Sequence, residues 1–395
     1  MSIREDATAL QGDLVQLRRA LHREPELGLE LPRTQEKVVA ALDGWGLEIG
    51  TGQSLSSVTA VLRGARPGPT VLLRGDMDAL PVIERTALDF AAPTDRMHAC
   101  GHDLHTAMLA GAAQLLSSRA DQLAGNVVFM FQPGEEGYDG AGKMISEGVL
   151  DVTGTRPVAA YALHVLSGQL PAGVFAARRG PFLAASDTVR VTIRGVGGHG
   201  SMPHLAQDPL PAACEMVLAL QSMVTRRIDI HDPVVITVGS LHAGTQHNVI
   251  PEEAYFEATV RSYSPESHAR VKDGFLRTVR GVAAAHGLTA DIDYAELYPV
   301  TVNDDRETEF AADTVAEVCG EQRWAWQDRP GAGSEDFSRV IAEIPGAMIA
   351  LGATPVGIDA DKAAMNHSPL AVFDESVLAD GAALYAELAV RRLIA

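Results

Sequence analysis

Three short apolar segments, residues 70–74, 126–131 and 158–163, each run directly into side chains that can hold a metal or move a proton. The first delivers Gly75-Asp76-Met77-Asp78, the second Gln132-Pro133-Gly134-Glu135-Glu136, and the third His164. Apolar runs of this length bounded by turn residues read as buried strands, the pattern of a parallel or mixed sheet. Open α/β sheets bind ligands at the carboxyl ends of such strands. One arrangement accounts for all three: a sheet with helices on its faces and a site along one edge.

Between the first two strands lies Met97-His98-Ala99-Cys100-Gly101-His102-Asp103-Leu104-His105-Thr106-Ala107-Met108. Thiolate and neutral imidazole are good donors to zinc-like ions, so the density of His, Cys and Asp suits a transition metal. Taken alone, the stretch reads equally well as a helix start carrying polar histidines. Its convergence with the other strand ends favours a metal centre. Glu135 beside Glu136 adds a further element: one carboxylate can bind metal while its neighbour takes a proton from an attacking water. The competing reading is a solvated acidic turn, which the buried strand and Pro133-Gly134 just before it disfavour.

Along the rest of the chain, Leu10, Leu14, Leu17 and Leu21 fall at helical spacing, and a second helix is expected over 34–42 with Thr34 as its N-cap. A small-residue helix follows the His/Cys stretch over 104–116. From about Ala185 the pattern changes to strand 187–194, helix 209–225, strands 234–241 and 254–262, helix 266–286 and strand 289–294. That β-α-β-β-α-β order is ferredoxin-like. The expected organisation is a discontinuous α/β domain over 1–184 and 298–395 with an α+β domain inserted over 185–297. The first domain resumes with a helix over 307–319, a helix capped by Ser334-Glu335-Asp336, a strand over 347–351, a loop bearing His367 and a terminal helix from Glu375.

Composition narrows the partners. A formal net charge of −19 and a pI near 5.0 repel nucleic acid and anionic membranes, so neither is expected as a partner. No apolar run approaches the ~20 residues of a membrane span, and the first residues lack the basic and apolar regions of a secretory signal. Cys100, Cys214 and Cys319 are odd in number and far apart, which implies no disulfide framework. A cytoplasmic protein with reduced thiols is expected, which leaves Cys100 free to act as a ligand.

Five motifs then carry a resemblance: Gly75-Asp76-Met77-Asp78-Ala79-Leu80-Pro81, His98-Ala99-Cys100-Gly101-His102-Asp103, Phe131-Gln132-Pro133-Gly134-Glu135-Glu136, Gly197-Gly198-His199-Gly200-Ser201 and Asn366-His367-Ser368-Pro369. In this order, over almost the whole chain, they resemble the di-metal amidohydrolases that include hippurate hydrolases, indole-acetyl-amino-acid hydrolases and bacterial N-acyl-amino-acid amidohydrolases. The resemblance implies a metallopeptidase-type catalytic domain with an inserted lid and dimerisation domain. It also implies two divalent ions, zinc or manganese with cobalt or nickel as alternatives, on Cys100, His102, Glu136, His164 and His367.

The remaining roles follow from the same resemblance. Glu135 is the implied general base, and His199 is implied to reach the partner subunit's site and stabilise an oxyanion. Asn248 and Arg261 resemble substrate-binding positions, Arg261 being suited to a substrate carboxylate. Asp78 and Asp103 are expected to orient ligand imidazoles. His98 and His105 are left as supporting or helix-surface residues, and Asp76 is not expected to bind metal directly. The implied reaction is hydrolysis of the amide of an N-acyl or N-aroyl amino acid, with a homodimer as the working unit. The alternatives are a dipeptidase or carboxypeptidase of the same clan, and a non-catalytic metal- or ligand-binding protein on this fold.

Overall fold

The central strands have almost no solvent-facing side, so they form the interior of a layered α/β unit. Every residue of the strand Gly346–Thr354 is buried, as are the last seven of Arg66–Asp76. The protein is described here by a computed structural model covering residues 2–394, which separate into two compact units. The first comprises residues 2–182, Val302–Arg329 and 336–394.

Its sheet has eight strands in the order Glu48–Thr51, Val58–Arg63, Ala124–Gln132, Arg66–Asp76, Ala159–Pro171, Gly346–Thr354, Phe175–Ala177 and Trp324–Trp326. The four strands from Ala124–Gln132 to Gly346–Thr354 pair in parallel, whereas Val58–Arg63 joins antiparallel, so the sheet is mixed. Helices Ile3–His22, His102–Ser117 and Leu378–Ile394 pack on one another, and the last two also pack on Arg66–Asp76. The run of Ala, Gly and Leu in His102–Ser117 allows that close approach, and nearly the whole helix is buried. Ser2 and Glu5 form a capping box on the first helix.

Three local expectations are corrected. The strand expected over 158–163 runs from Ala159 to Pro171, so His164 lies within it rather than at its end. The second helix starts at Pro32, and Thr34 is inside it; the Glu26 carboxylate takes the Thr34 N–H at 2.8 Å in place of a side-chain cap. Asp336 precedes helix Phe337–Glu343 but makes no side-chain cap bond there, because its carboxylate is committed to Arg74 and Gln132.

The second unit comprises Leu183–Thr301 and Pro330–Glu335. Four antiparallel strands run in the order Val234–Ala243, Glu253–Ser262, Ala185–Arg194 and Thr289–Tyr298. With helices Pro209–Arg227 and Pro265–Ala285 they give the β-α-β-β-α-β order. Alternation places Val189, Val191 and Ile193 in the core with Phe256, Phe275 and Val279. Among the described residues no helix is long and apolar enough to cross a membrane.

Candidate active site

The site forms where two parallel strands part. Arg66–Asp76 and Ala159–Pro171 are paired as far as Arg74 and Ala162. Beyond that point side chains replace the ladder. The Tyr385 hydroxyl donates to the Arg74 carbonyl at 2.6 Å and accepts from the Leu163 N–H at 2.7 Å. One step further, the Val165 N–H donates to His105 Nε2 at 2.7 Å. At the point of separation side chains thus bond the Arg74 carbonyl and the N–H groups of Leu163 and Val165.

Cys100 and His102 enter this gap through a backbone shape that only Gly101 tolerates. Gly101 has φ +86°, and a Cβ there would lie 2.3 Å from Val165 Cγ2. Helix His102–Ser117 begins at the next residue, so Cys100 and His102 flank its first turn. His102 Nδ1 faces the Asp78 carbonyl at 2.8 Å, and its buried Nε2 has no hydrogen-bond partner. His164 Nδ1 faces the Val165 carbonyl at 2.9 Å, and its Nε2 lies 3.5 Å from Cys100 Sγ. On His367, Nε2 lies 3.2 Å from Glu136 Oε1. His367 holds φ +69° and its N–H donates to the Ala99 carbonyl at 2.8 Å. A non-glycine residue in that region costs about 1–3 kcal/mol, a strain typical of functional positions.

The five expected ligands therefore converge. Donor atoms of Cys100, His102 and His164 lie within 4.8 Å of one another, as do those of Cys100, Glu136 and His367. Cys100 belongs to both triads. The orphaned His102 Nε2 and the soft and hard donors together fit a pair of divalent cations. Glu135 joins His102 and Glu136 within the same 4.8 Å limit.

The side chains of this cluster also compensate one another's charge. Burial opposes ionisation of the Cys100 thiol, but the imidazoles of His164 and His102 outweigh it and hold the thiol well below its usual range. Hydrogen bonding to Cys100 and Glu136 pushes His367 up to about 10. Burial, reinforced by the Cys100 charge, raises Glu136.

A further triad, Asp76, His102 and His105, also falls within 4.8 Å, but its protons and charges are already assigned. His105 Nδ1 meets Asp76 Oδ1 at 2.5 Å while its Nε2 accepts the Val165 N–H. Arg74 Nη1 holds Asp76 Oδ2 at 2.7 Å, and Arg74 Nη2 reaches Asp336 at 3.0 Å. His105, expected as a supporting or helix-surface residue, is fully buried and joins the two parted strands. Its partner lies 60 residues away in sequence, so no local pattern signals the role.

The expected orienting residues act differently from one another. Asp78 orients His102 through its main-chain carbonyl; its carboxylate accepts the N–H of Glu135 and of Glu136, each at 3.0 Å. Asp103 contacts no candidate ligand through its carboxylate, which meets His22 Nδ1 and Arg18 Nε, each at 2.7 Å. Burial opposes this charge, yet Arg18 and His22 hold the carboxyl far below the usual range. His98 is buried with neither ring nitrogen bonded, and burial lowers it to about 3.

In the second unit, strand Gly198–His199 pairs with Val249–Ile250, which sets His199 opposite Val249, and the Gly200 N–H donates to the Asn248 carbonyl at 2.8 Å. His199 Nδ1 accepts the Ser201 N–H at 3.1 Å, which fixes the tautomer that carries its proton on Nε2. Arg261 is part-buried, with Nη1 on Thr259 Oγ1 at 2.7 Å and on the Val260 carbonyl at 3.1 Å.

Known proteins are similar to this chain in sequence and architecture. The model for peptidase family M20/M25/M40 matches residues 72–391. Thermostable carboxypeptidase 1 of Saccharolobus solfataricus is 36% identical over 396 residues, covering 98% of each chain. The hippurate hydrolase of Campylobacter jejuni is 32% identical over 397 residues, covering 100% of each. A crystal structure from Bacillus subtilis, described as a dinuclear metal binding peptidase from the M20 family, matches with TM-score 0.84 and 32% identity. It covers 98% of this chain and 99% of its own. By sequence and by fold alike, the chain belongs to peptidase family M20/M25/M40.

Proposed function

We propose that the protein is a metal-dependent amidohydrolase that cleaves the amide of N-acyl or N-aroyl amino acids. The observation that carries this reading is the pair of donor triads sharing Cys100, with Glu135 held beside them. Two divalent ions on Cys100, His102, Glu136, His164 and His367 would polarise the amide carbonyl and lower the pKa of the attacking water. Zinc and manganese both suit this donor set, as do cobalt and nickel. Glu135 takes the proton of that water and returns it to the leaving amine nitrogen. Asp78 keeps Glu135 and Glu136 in place through their N–H groups.

The second unit is assigned as lid and dimerisation domain. Val234–Ala243 is an edge strand of its sheet, and helix Pro209–Arg227 exposes Leu210 and Leu218, the latter 70% accessible. An unpaired edge beside exposed apolar side chains supports pairing with a second copy. In that dimer the partner subunit's His199 donates from Nε2 to the oxyanion, and Asn248 and Arg261 hold the substrate. Leu218→Glu should convert a dimer to monomer in light scattering, and a wild-type monomer would remove the role in trans. The odd number and wide spacing of Cys100, Cys214 and Cys319 support a cytoplasmic setting with reduced thiols.

The similarity to a carboxypeptidase favours a second reading, in which the acyl part is itself a peptide. Both reactions cut an amide whose nitrogen belongs to an amino acid with a free carboxylate. Metal-replete enzyme assayed on N-acetyl, N-benzoyl and N-succinyl amino acids beside dipeptides separates them. Preference for the acyl compounds is expected; exclusive hydrolysis of peptides would reverse the assignment. Inactivity on all of them with manganese, zinc and cobalt would instead point to a binding protein.

A further inference from the structure

Asn366 stands directly before the candidate ligand His367, and its side chain joins three separate segments of the site. Nδ2 donates to the Cys100 carbonyl at 3.1 Å and to the Val165 carbonyl at 3.0 Å, with Cys100 Sγ 3.8 Å away. Oδ1 accepts the Ser167 N–H at 2.9 Å. Both amide hydrogens and the amide oxygen are thereby used, which fixes the orientation of the group. The segments it joins lie 266 and 201 residues away from it in sequence.

The Val165 peptide is where these bonds matter. Its carbonyl receives both Asn366 Nδ2 and the N–H of its neighbour's ring, His164 Nδ1 at 2.9 Å. A proton on Nδ1 places the ring's lone pair on His164 Nε2, and that atom lies 3.5 Å from Cys100 Sγ. The N–H of the same residue, one peptide earlier, is held by His105. Asn366 thus anchors the carbonyl that sets the direction of His164, and with its second hydrogen anchors the main chain of Cys100.

We propose that Asn366 is a positioning residue that sets the spacing of Cys100 and His164 and so pre-forms one of the two cation positions. The proposal rests on the metal-site reading above. Groups that orient ligands in this manner typically contribute roughly 10- to 100-fold to metal affinity.

The matched control is Asn303. It is buried, where Asn366 is half-buried, and it likewise makes two donor bonds and one acceptor bond to backbone, with the Met348 carbonyl at 2.9 Å, the Arg178 carbonyl at 3.1 Å and the Met348 N–H at 2.8 Å. Chelator-stripped full-length wild type, Asn366→Leu and Asn303→Leu are titrated with Co²⁺, following the thiolate-to-cobalt absorption, and melted without metal. Asn366→Leu is expected to weaken cobalt binding roughly 10- to 100-fold and to reduce or shift the thiolate band. Asn303→Leu should lower Tm at least as much while keeping wild-type affinity and band.

Wild-type affinity and band in Asn366→Leu would overturn the proposal, as would equal weakening in Asn303→Leu. If Asn366→Leu does not fold, Asn366→Ser is read by the same criteria. A wild-type protein with no thiolate band would overturn the metal-site reading and this proposal together. A wild-type band that Asn366 does not affect overturns the proposal alone.

Discussion

Replacing Asp78 by Asn removes one charge and almost no volume, yet it should disable the catalytic turn. The carboxylate is buried and takes two backbone N–H groups, those of Glu135 and Glu136, each at 3.0 Å. An Asn in the same place retains one acceptor, now uncharged, and turns its NH₂ towards the other N–H. Hydrogen bonds to charged groups contribute about 1.5–3 kcal/mol and neutral ones about 0.5–1.5, so the loss at this turn is about 2–4 kcal/mol. If that loss falls on the alignment of Glu135, kcat/KM drops about 30- to 1000-fold. The assay is hydrolysis of N-benzoylglycine at saturating metal, with metal content measured on the same sample. Activity within threefold of wild type at unchanged metal content would refute the argument that Asp78 holds the turn for catalysis.

Two further outcomes follow from buried charge elsewhere. Arg74→Met leaves Asp76 and Asp336 without their guanidinium partner in a fully buried setting, and should destabilise the protein by about 3–5 kcal/mol in denaturant titration; a stable variant would contradict the compensation described here. His268 is raised above its usual value by hydrogen bonding to Asp187, at 2.9 Å. Its contribution to the second unit is therefore full below about pH 6.5 and is lost as pH rises through the raised value, a slope that His268→Gln should flatten in melts across pH 6–9.

The sheet, the ends of the strands Arg66–Asp76 and Ala124–Gln132, and the inserted β-α-β-β-α-β order are legible because burial and alternation are properties of single segments. Cys100, Glu136 and His367 could be proposed as ligands because motif resemblance supplied what spacing could not. The error at His164 has a physical cause. Its strand continues past a polar residue because Gly346–Thr354 stays paired with it as far as Pro171, while Tyr385 and His105 bond the edge that Arg66–Asp76 abandons. Those partners come from distant helices, and no window of local sequence contains them. Asp103 differs from expectation for the same reason: its charge is answered by Arg18 and His22, one helix away, rather than by the imidazoles beside it in sequence.

The central claim is that Glu135 moves protons at a metal centre that its neighbours build. Glu135→Gln separates those tasks, since Cys100, His102, Glu136, His164 and His367 remain to hold the ions. Metal content and turnover of N-benzoylglycine are measured on one preparation. The account predicts two divalent ions per chain, as in wild type, with nearly all turnover lost. Full metal content with wild-type turnover would contradict it.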